Sequence, residues 1–131
     1  MPDQRDLNLE QYEISRMAYR ELKYFCLQYE EKKKKLSELR GLAAAPISGG
    51  PRGSSVSRPT EQRALRAVAL ARDCELIEQT ALEAAGPVMY RSLMKNVTQG
   101  VPYYCLDVPC GKNQFTALRR KFFWRLNEKR R

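Results

Sequence analysis

The sequence predicts an all-α fold: a long N-terminal helix, a flexible linker and a small C-terminal helical bundle containing a helix-turn-helix. Three observations carry this. Apolar residues recur at steps of three and four through most of the chain. No segment keeps the period-two alternation of a half-buried strand. The breaks between periodic segments fall at Gly and Pro.

Residues 1–40 form the first unit. No Pro or Gly occurs from Gln4 to Arg40, and a single helix is expected over 6–40. Ala18, Leu22, Phe25, Tyr29, Lys32, Leu36 and Leu39 follow at steps of four and three, a heptad-like seam. Lys32-Lys33-Lys34-Lys35 makes the end of this helix basic, which suits the macrodipole, and Gly41 is a natural stop. That run reads first as a solvated surface and second as a phosphate contact. A lone amphipathic helix must cover its seam. It either folds back on the rest of the chain, the favoured arrangement, or pairs with a second copy, so the protein is a monomer or a homodimer through this helix.

Residues 41–59, rich in Gly, Pro, Ser and Ala, read as a flexible linker. No GxxxxGK[ST] loop is present, so a nucleotide site is not expected. Residues 60–131 form the helical domain. Thr60 is placed as an N-cap, with Pro59 before it and Glu61 in the first turn. The helix it opens runs to about Ala85 with two apolar stripes: Leu70, Cys74, Ile77, Ala81 and Ala84, then Leu65, Ala69, Leu76 and Thr80. Two stripes imply packing on two sides, the position of a central spine. Asp73, Glu75, Glu78 and Glu83 give it an acidic outer face. Gly86-Pro87 is a break and restart. Met89, Tyr90, Leu93, Met94 and Val97 line the next helix, and Gly100 closes it. A short segment, 103–107, and a turn at Pro109 and Gly111 lead into a final helix over 112–127.

Charge is concentrated at the C-terminal end. The chain has 24 Lys and Arg against 15 Asp and Glu. Residues 1–110 hold 16 basic and 14 acidic side chains, whereas residues 111–131 hold 8 basic and 1 acidic. A cluster of that density calls for an anionic partner, of which nucleic acid is the commonest. The chain has no His. Triad hydrolases, His-ligated metal enzymes and His pH switches are thereby excluded, and the protein is not expected to be an enzyme or to carry a cofactor or metal. Cys26, Cys74, Cys105 and Cys110 lack CxxC spacing and are expected as small buried apolar residues in a reducing cytoplasm. The polar N-terminus does not read as a secretory signal, and no apolar run is long enough to span a membrane.

The order helix, short helix, tight turn, basic helix at about 101–127 is the layout of a helix-turn-helix. On a helical wheel Phe115, Leu118, Phe122 and Leu126 fall within about 80° and form the buried stripe. Asn113, Thr116, Ala117, Arg120, Lys121 and Trp124 face the other way. Lys112, Asn113 and Gln114 occupy the first turn, where a recognition helix meets base edges; Asn and Gln suit adenine and Lys suits guanine. The small Thr116 and Ala117 allow close approach to a groove floor. Arg119, Arg120, Lys121 and Arg125 are placed on phosphates.

Val108-Pro109-Cys110-Gly111-Lys112-Asn113-Gln114-Phe115-Thr116-Ala117-Leu118-Arg119-Arg120-Lys121-Phe122-Phe123-Trp124-Arg125-Leu126 resembles the turn and recognition helix of the RinA and ArpU type of phage regulators. Those carry a domain similar to region 4 of sigma-70 factors. The resemblance covers the last ~45 residues most closely and the rest of the chain loosely. It implies a phage- or prophage-derived regulator in the cytoplasm of a bacterial host, binding double-stranded DNA and activating late genes. Two other readings fit the same residues. One is a module docking on RNA polymerase or another phage protein. The other is a small DNA-packaging (terminase-type) subunit.

Overall fold

The computed structural model describes residues 7–44 and 57–131. The described residues form helices and turns with no strand, so the fold is all-α. No helix among them is long and apolar enough to cross a membrane.

The chain enters through a 3-10 turn, Glu10–Tyr12, whose first amide donates to Asn8 Oδ1 at 3.0 Å. Glu13 closes it with φ 59°, a left-handed conformation that lets Ile14 N–H reach back to the Leu9 carbonyl. Leu9 and Ile14 are thereby driven into the core. Ser15 caps the first α-helix, its hydroxyl accepting from Ala18 N–H at 3.1 Å. This helix, α1, spans Arg16–Leu27. The chain bends at Gln28 and continues as α2, Tyr29–Ala44. The single helix expected over 6–40 is thus two helices and a turn. The bend lets α1 lie across the other helices while α2 runs along one of them. Gly41 does not stop α2, since a glycine weakens a helix without breaking it and three more residues follow in helical conformation. Of the expected linker 41–59, residues 41–44 and 57–59 are helical; residues 45–56 lie outside the described part.

The third helix, α3, spans Ser57–Gln99 and is broken at Gly86, with φ 78° and ψ 170°. The expected break and restart is therefore present, and its geometry explains its place. In an unbroken helix the stripe of Cys74, Ile77, Ala81 and Ala84 and the stripe of Met89, Leu93 and Val97 would point about 140° apart at 100° per residue. The break rotates the second half so that both stripes enter one core; all seven residues are buried. Gly100, φ 72°, ends α3 with a left-handed stop, its N–H donating to the Asn96 carbonyl at 3.0 Å. The last helix, α4, spans Lys112–Arg130.

The core joins Tyr19, Leu22, Phe25 and Cys26 of α1 to both halves of α3 and to Phe115, Phe122, Phe123 and Leu126 of α4. Phe123 meets Tyr19 edge-on at 5.1 Å and Phe122 at 5.0 Å. The two buried threonine hydroxyls are satisfied locally: Thr80 donates to the Leu76 carbonyl and Thr98 to that of Met94.

The N-terminal seam is covered within the chain. Leu22, Phe25 and Leu36 are buried, with Ala18, Tyr29, Lys32 and Leu39 partly so. The helices fold back on α3, the favoured of the two expected arrangements. The second stripe of α3 is covered only in part. Thr80 is buried and Leu76 half-buried, whereas Leu65 and Ala69 are exposed.

The acidic face of α3 is not bare. Asp73 binds Lys32 at 2.9 Å, and Glu78 binds Lys33 at 3.1 Å and accepts from the Tyr29 hydroxyl. Lys32 also lies 4.1 Å over the Phe25 ring. Lys32 is thus packed, whereas Lys33 pairs at the exposed surface and Lys34 and Lys35 are exposed. Of the cysteines, Cys26 and Cys74 are buried as expected, but Cys105 is exposed and Cys110 half-buried. Burial pushes the Cys26 thiol up to about 12, against the pull of Arg130, Lys32 and Arg119, so it stays a protonated apolar filler.

Candidate nucleic-acid interface

The site is the outer face of α4 and the loop that delivers it. Residues 101–111 are tied down at both ends. Asn96 Nδ2 donates to the Val101 carbonyl at 2.8 Å, and the Tyr103 hydroxyl donates to the Cys110 carbonyl at 2.6 Å. The Tyr103 ring rests 5.7 Å from Phe115, which is buried one turn into α4. The only helical turn in this loop is a 3-10 turn, Tyr103–Cys105. A helix-turn-helix pairs two α-helices through a short turn. Here the expected first helix is that single 3-10 turn, shortened by Pro102 before it and Pro109 after it. Support for α4 comes instead from α3 and α1, against which it packs.

Gly111 is the N-cap of α4 and brings no side-chain cap. The amides of the first turn are therefore open to outside acceptors, at the positive end of the helix dipole. Lys112, Asn113 and Gln114 are all exposed there. Lys112 Nζ is 2.7 Å from the Tyr104 hydroxyl and 4.9 Å from its ring centre. Tyr104 is 70% exposed, so an aromatic ring stands beside the first turn. Sequence reasoning missed Tyr104; its pairing with Lys112 across the loop has no signature in local spacing.

Along the helix the nine expected contact residues divide. Ala117 and Lys121 are exposed in line with Asn113, and Trp124 continues the strip at 38% exposure. Thr116 and Arg120 sit at the edge, half-buried. The Thr116 hydroxyl donates to the Lys112 carbonyl at 2.9 Å, so it offers its methyl outward. Arg119 and Arg125 do not belong to the strip. Arg119 Nη2 donates to the Tyr19 hydroxyl at 3.3 Å, and the guanidinium sits 5.8 Å from the Phe123 ring. Arg125 reaches Glu83 at 3.4 Å, where Lys129 also binds at 2.8 Å. Arg119 lies against apolar surface, and both arginines end on partners within the chain. Arg130 behaves alike, 3.6 Å from Glu21 and 4.1 Å over Phe25. Trp124 packs on Tyr12, ring centres 6.1 Å apart.

Glu83 is the anchor for this inward group. The Lys129 hydrogen bond, with Arg125 beside it, holds its carboxyl below the ordinary carboxylate range. A depressed folded-state pKa contributes stability above the unfolded value and loses it as pH falls through the folded one. The carboxylate is 44% exposed, so the contribution is at most about 1 kcal/mol. Glu83→Gln should therefore be slightly less stable than the parent at pH 7. The two melting curves should merge as pH drops below the carboxylate range. A gap that persists in acid would show that the side chain acts through packing.

Comparison with family models, with curated proteins and with solved structures finds no match for this chain.

Proposed function

We propose that the protein binds double-stranded DNA through the outer face of α4 and acts as a transcriptional regulator of the phage type that its C-terminal sequence resembles. One observation carries the reading. From Lys112 to Asn127 the helix holds no acidic residue, and its outward strip of Lys112, Asn113, Gln114, Ala117 and Lys121 is exposed. In this reading the first turn meets base edges in the major groove. Ala117 lets the helix axis approach, and the open amides of the first turn donate to a phosphate. Lys112, Arg120 and Lys121 neutralise the backbone. Tyr104 flanks the groove wall.

Binding of labelled duplexes, followed by fluorescence anisotropy across a salt series, tests it. Three phosphate cations give log K against log salt a slope of about −3. Arg120→Ala and Lys121→Ala should each reduce that slope by about one and weaken all sequences alike. Asn113→Ala should cost about 1–3 kcal/mol on the preferred site and leave other sequences nearly unchanged. A slope twice as steep would mean that Arg119, Arg125, Lys129 and Arg130 leave their internal partners. No binding at low salt ends the proposal, and polymerase capture without DNA affinity would move α4 and Trp124 to a protein-docking role.

A further inference from the structure

The exposed distal part of α3 carries a short seam of its own. Glu61, Leu65, Val68 and Arg72 follow at steps of four, three and four, so they share one face. Leu65 is 70% and Val68 55% exposed, and Glu61 and Arg72 are exposed at either end. The small exposed Ala64 and Ala69 flank the pair. This face is turned away from α2. The opposite side of α3, at Leu70, Cys74 and Ile77, is the one covered, and Lys32 and Lys33 of α2 bind Asp73 and Glu78. The α4 cations meet α3 further along, at Glu83.

The seam is complementary to itself. When two such helices pack antiparallel about a two-fold axis between residues 66 and 67, each Leu65 faces the second copy's Val68. Each Glu61 then faces the second copy's Arg72, and each Ala64 faces the second copy's Ala69. An isologous contact requires this reciprocity, in which residue i meets j and j meets i. The order acid, apolar, apolar, base supplies it for both the apolar and the charged pairs. Parallel packing would instead set Glu61 against Glu61 and Arg72 against Arg72.

We propose that the protein forms a two-fold homodimer through this distal α3 seam, with the second copy as its occupant. The proposal stands independently of DNA binding. The full chain is examined by light scattering coupled to size exclusion and by sedimentation equilibrium, from micromolar to sub-millimolar concentration. The expected mass is twice the 15.2 kDa of the chain. Val68→Asp sets a carboxylate against Leu65 of the second copy and should raise the dissociation constant more than about tenfold. Because Val68 is exposed in the monomer, the helical circular dichroism should be unchanged. Glu61→Arg and Arg72→Glu should each weaken the dimer, and the double reversal Glu61→Arg/Arg72→Glu should restore it. A monomer throughout the range, a larger assembly, a dimer indifferent to Val68→Asp, or a double reversal no better than the singles would each overturn the proposal.

Discussion

Phe123→Ala should be severely destabilising, by about 3–5 kcal/mol or more. The ring is 1% exposed and is gripped edge-on by Tyr19 and Phe122, at 5.1 and 5.0 Å. Truncating a buried Phe costs about 3–5 kcal/mol in lost transfer energy and cavity. Each aromatic pair adds about 0.5–1.5 kcal/mol beyond the area it buries. A domain of this size has a total stability of about 5–15 kcal/mol. The loss therefore takes a large share of the margin, and it also removes the surface on which Arg119 lies. Urea denaturation followed by circular dichroism measures it. The neighbouring Trp124→Ala is the contrast. Trp124 is 38% exposed and meets Tyr12 at a tilt, so about 1 kcal/mol is expected. Equal losses for the two would mean that α4 does not present the faces described.

Gly86→Val should be the most damaging substitution at a site with free space. Nothing lies within 4 Å of where a Cβ would stand, so no clash is involved. The cost is conformational: φ 78° with ψ 170° is a region essentially confined to glycine. Forcing a side chain into it costs about 1–3 kcal/mol, and more for a β-branched one. The alternative is for α3 to straighten. Straightening would swing Met89, Leu93 and Val97 away from the core that the first half of the helix faces. Thermal melts should show the loss. Gly41→Ala gives the opposite sign, since Gly41 is helical in α2 and also has open space around it. It should stabilise by about 0.5–1 kcal/mol. Adding a side chain thus moves stability in opposite directions at two unobstructed glycines, and backbone torsion is the reason.

The two arginines that leave the predicted contact set show where sequence reading fell short. Taking Phe115 as the origin of the α4 wheel, Arg119 falls at about 40° and Phe123 at about 80°, both on the apolar side. The signal was present. A long cationic side chain can lie along apolar surface and end on a polar group. Arg125 stands at about 280°, about 20° beyond Leu118 at the other edge of the stripe, so the wheel marks its side equally but not its partner. Its partner Glu83 is 42 residues away, and only the packing of α4 on α3 brings them together. Three carboxylates of the acidic face of α3, those of Asp73, Glu78 and Glu83, likewise meet Lys32, Lys33, Arg125 and Lys129 from other helices. The bend at Gln28 has no Gly or Pro to announce it. The periodicity of the seam runs straight through it, since periodicity reports which side is apolar and not whether the axis is straight.

The all-α class, the break at Gly86, the left-handed stop at Gly100 and most core residues were determined by the sequence itself. Each depends on local torsion preference or on helical period, and both are properties of neighbouring residues. Tertiary structure alone decided which cations remain outside, how short the turn before α4 is, and which part of α3 lies bare. Those outcomes depend on which helices pack together and where each one ends, and a charge or an apolar stripe acquires its role only from what lies across from it.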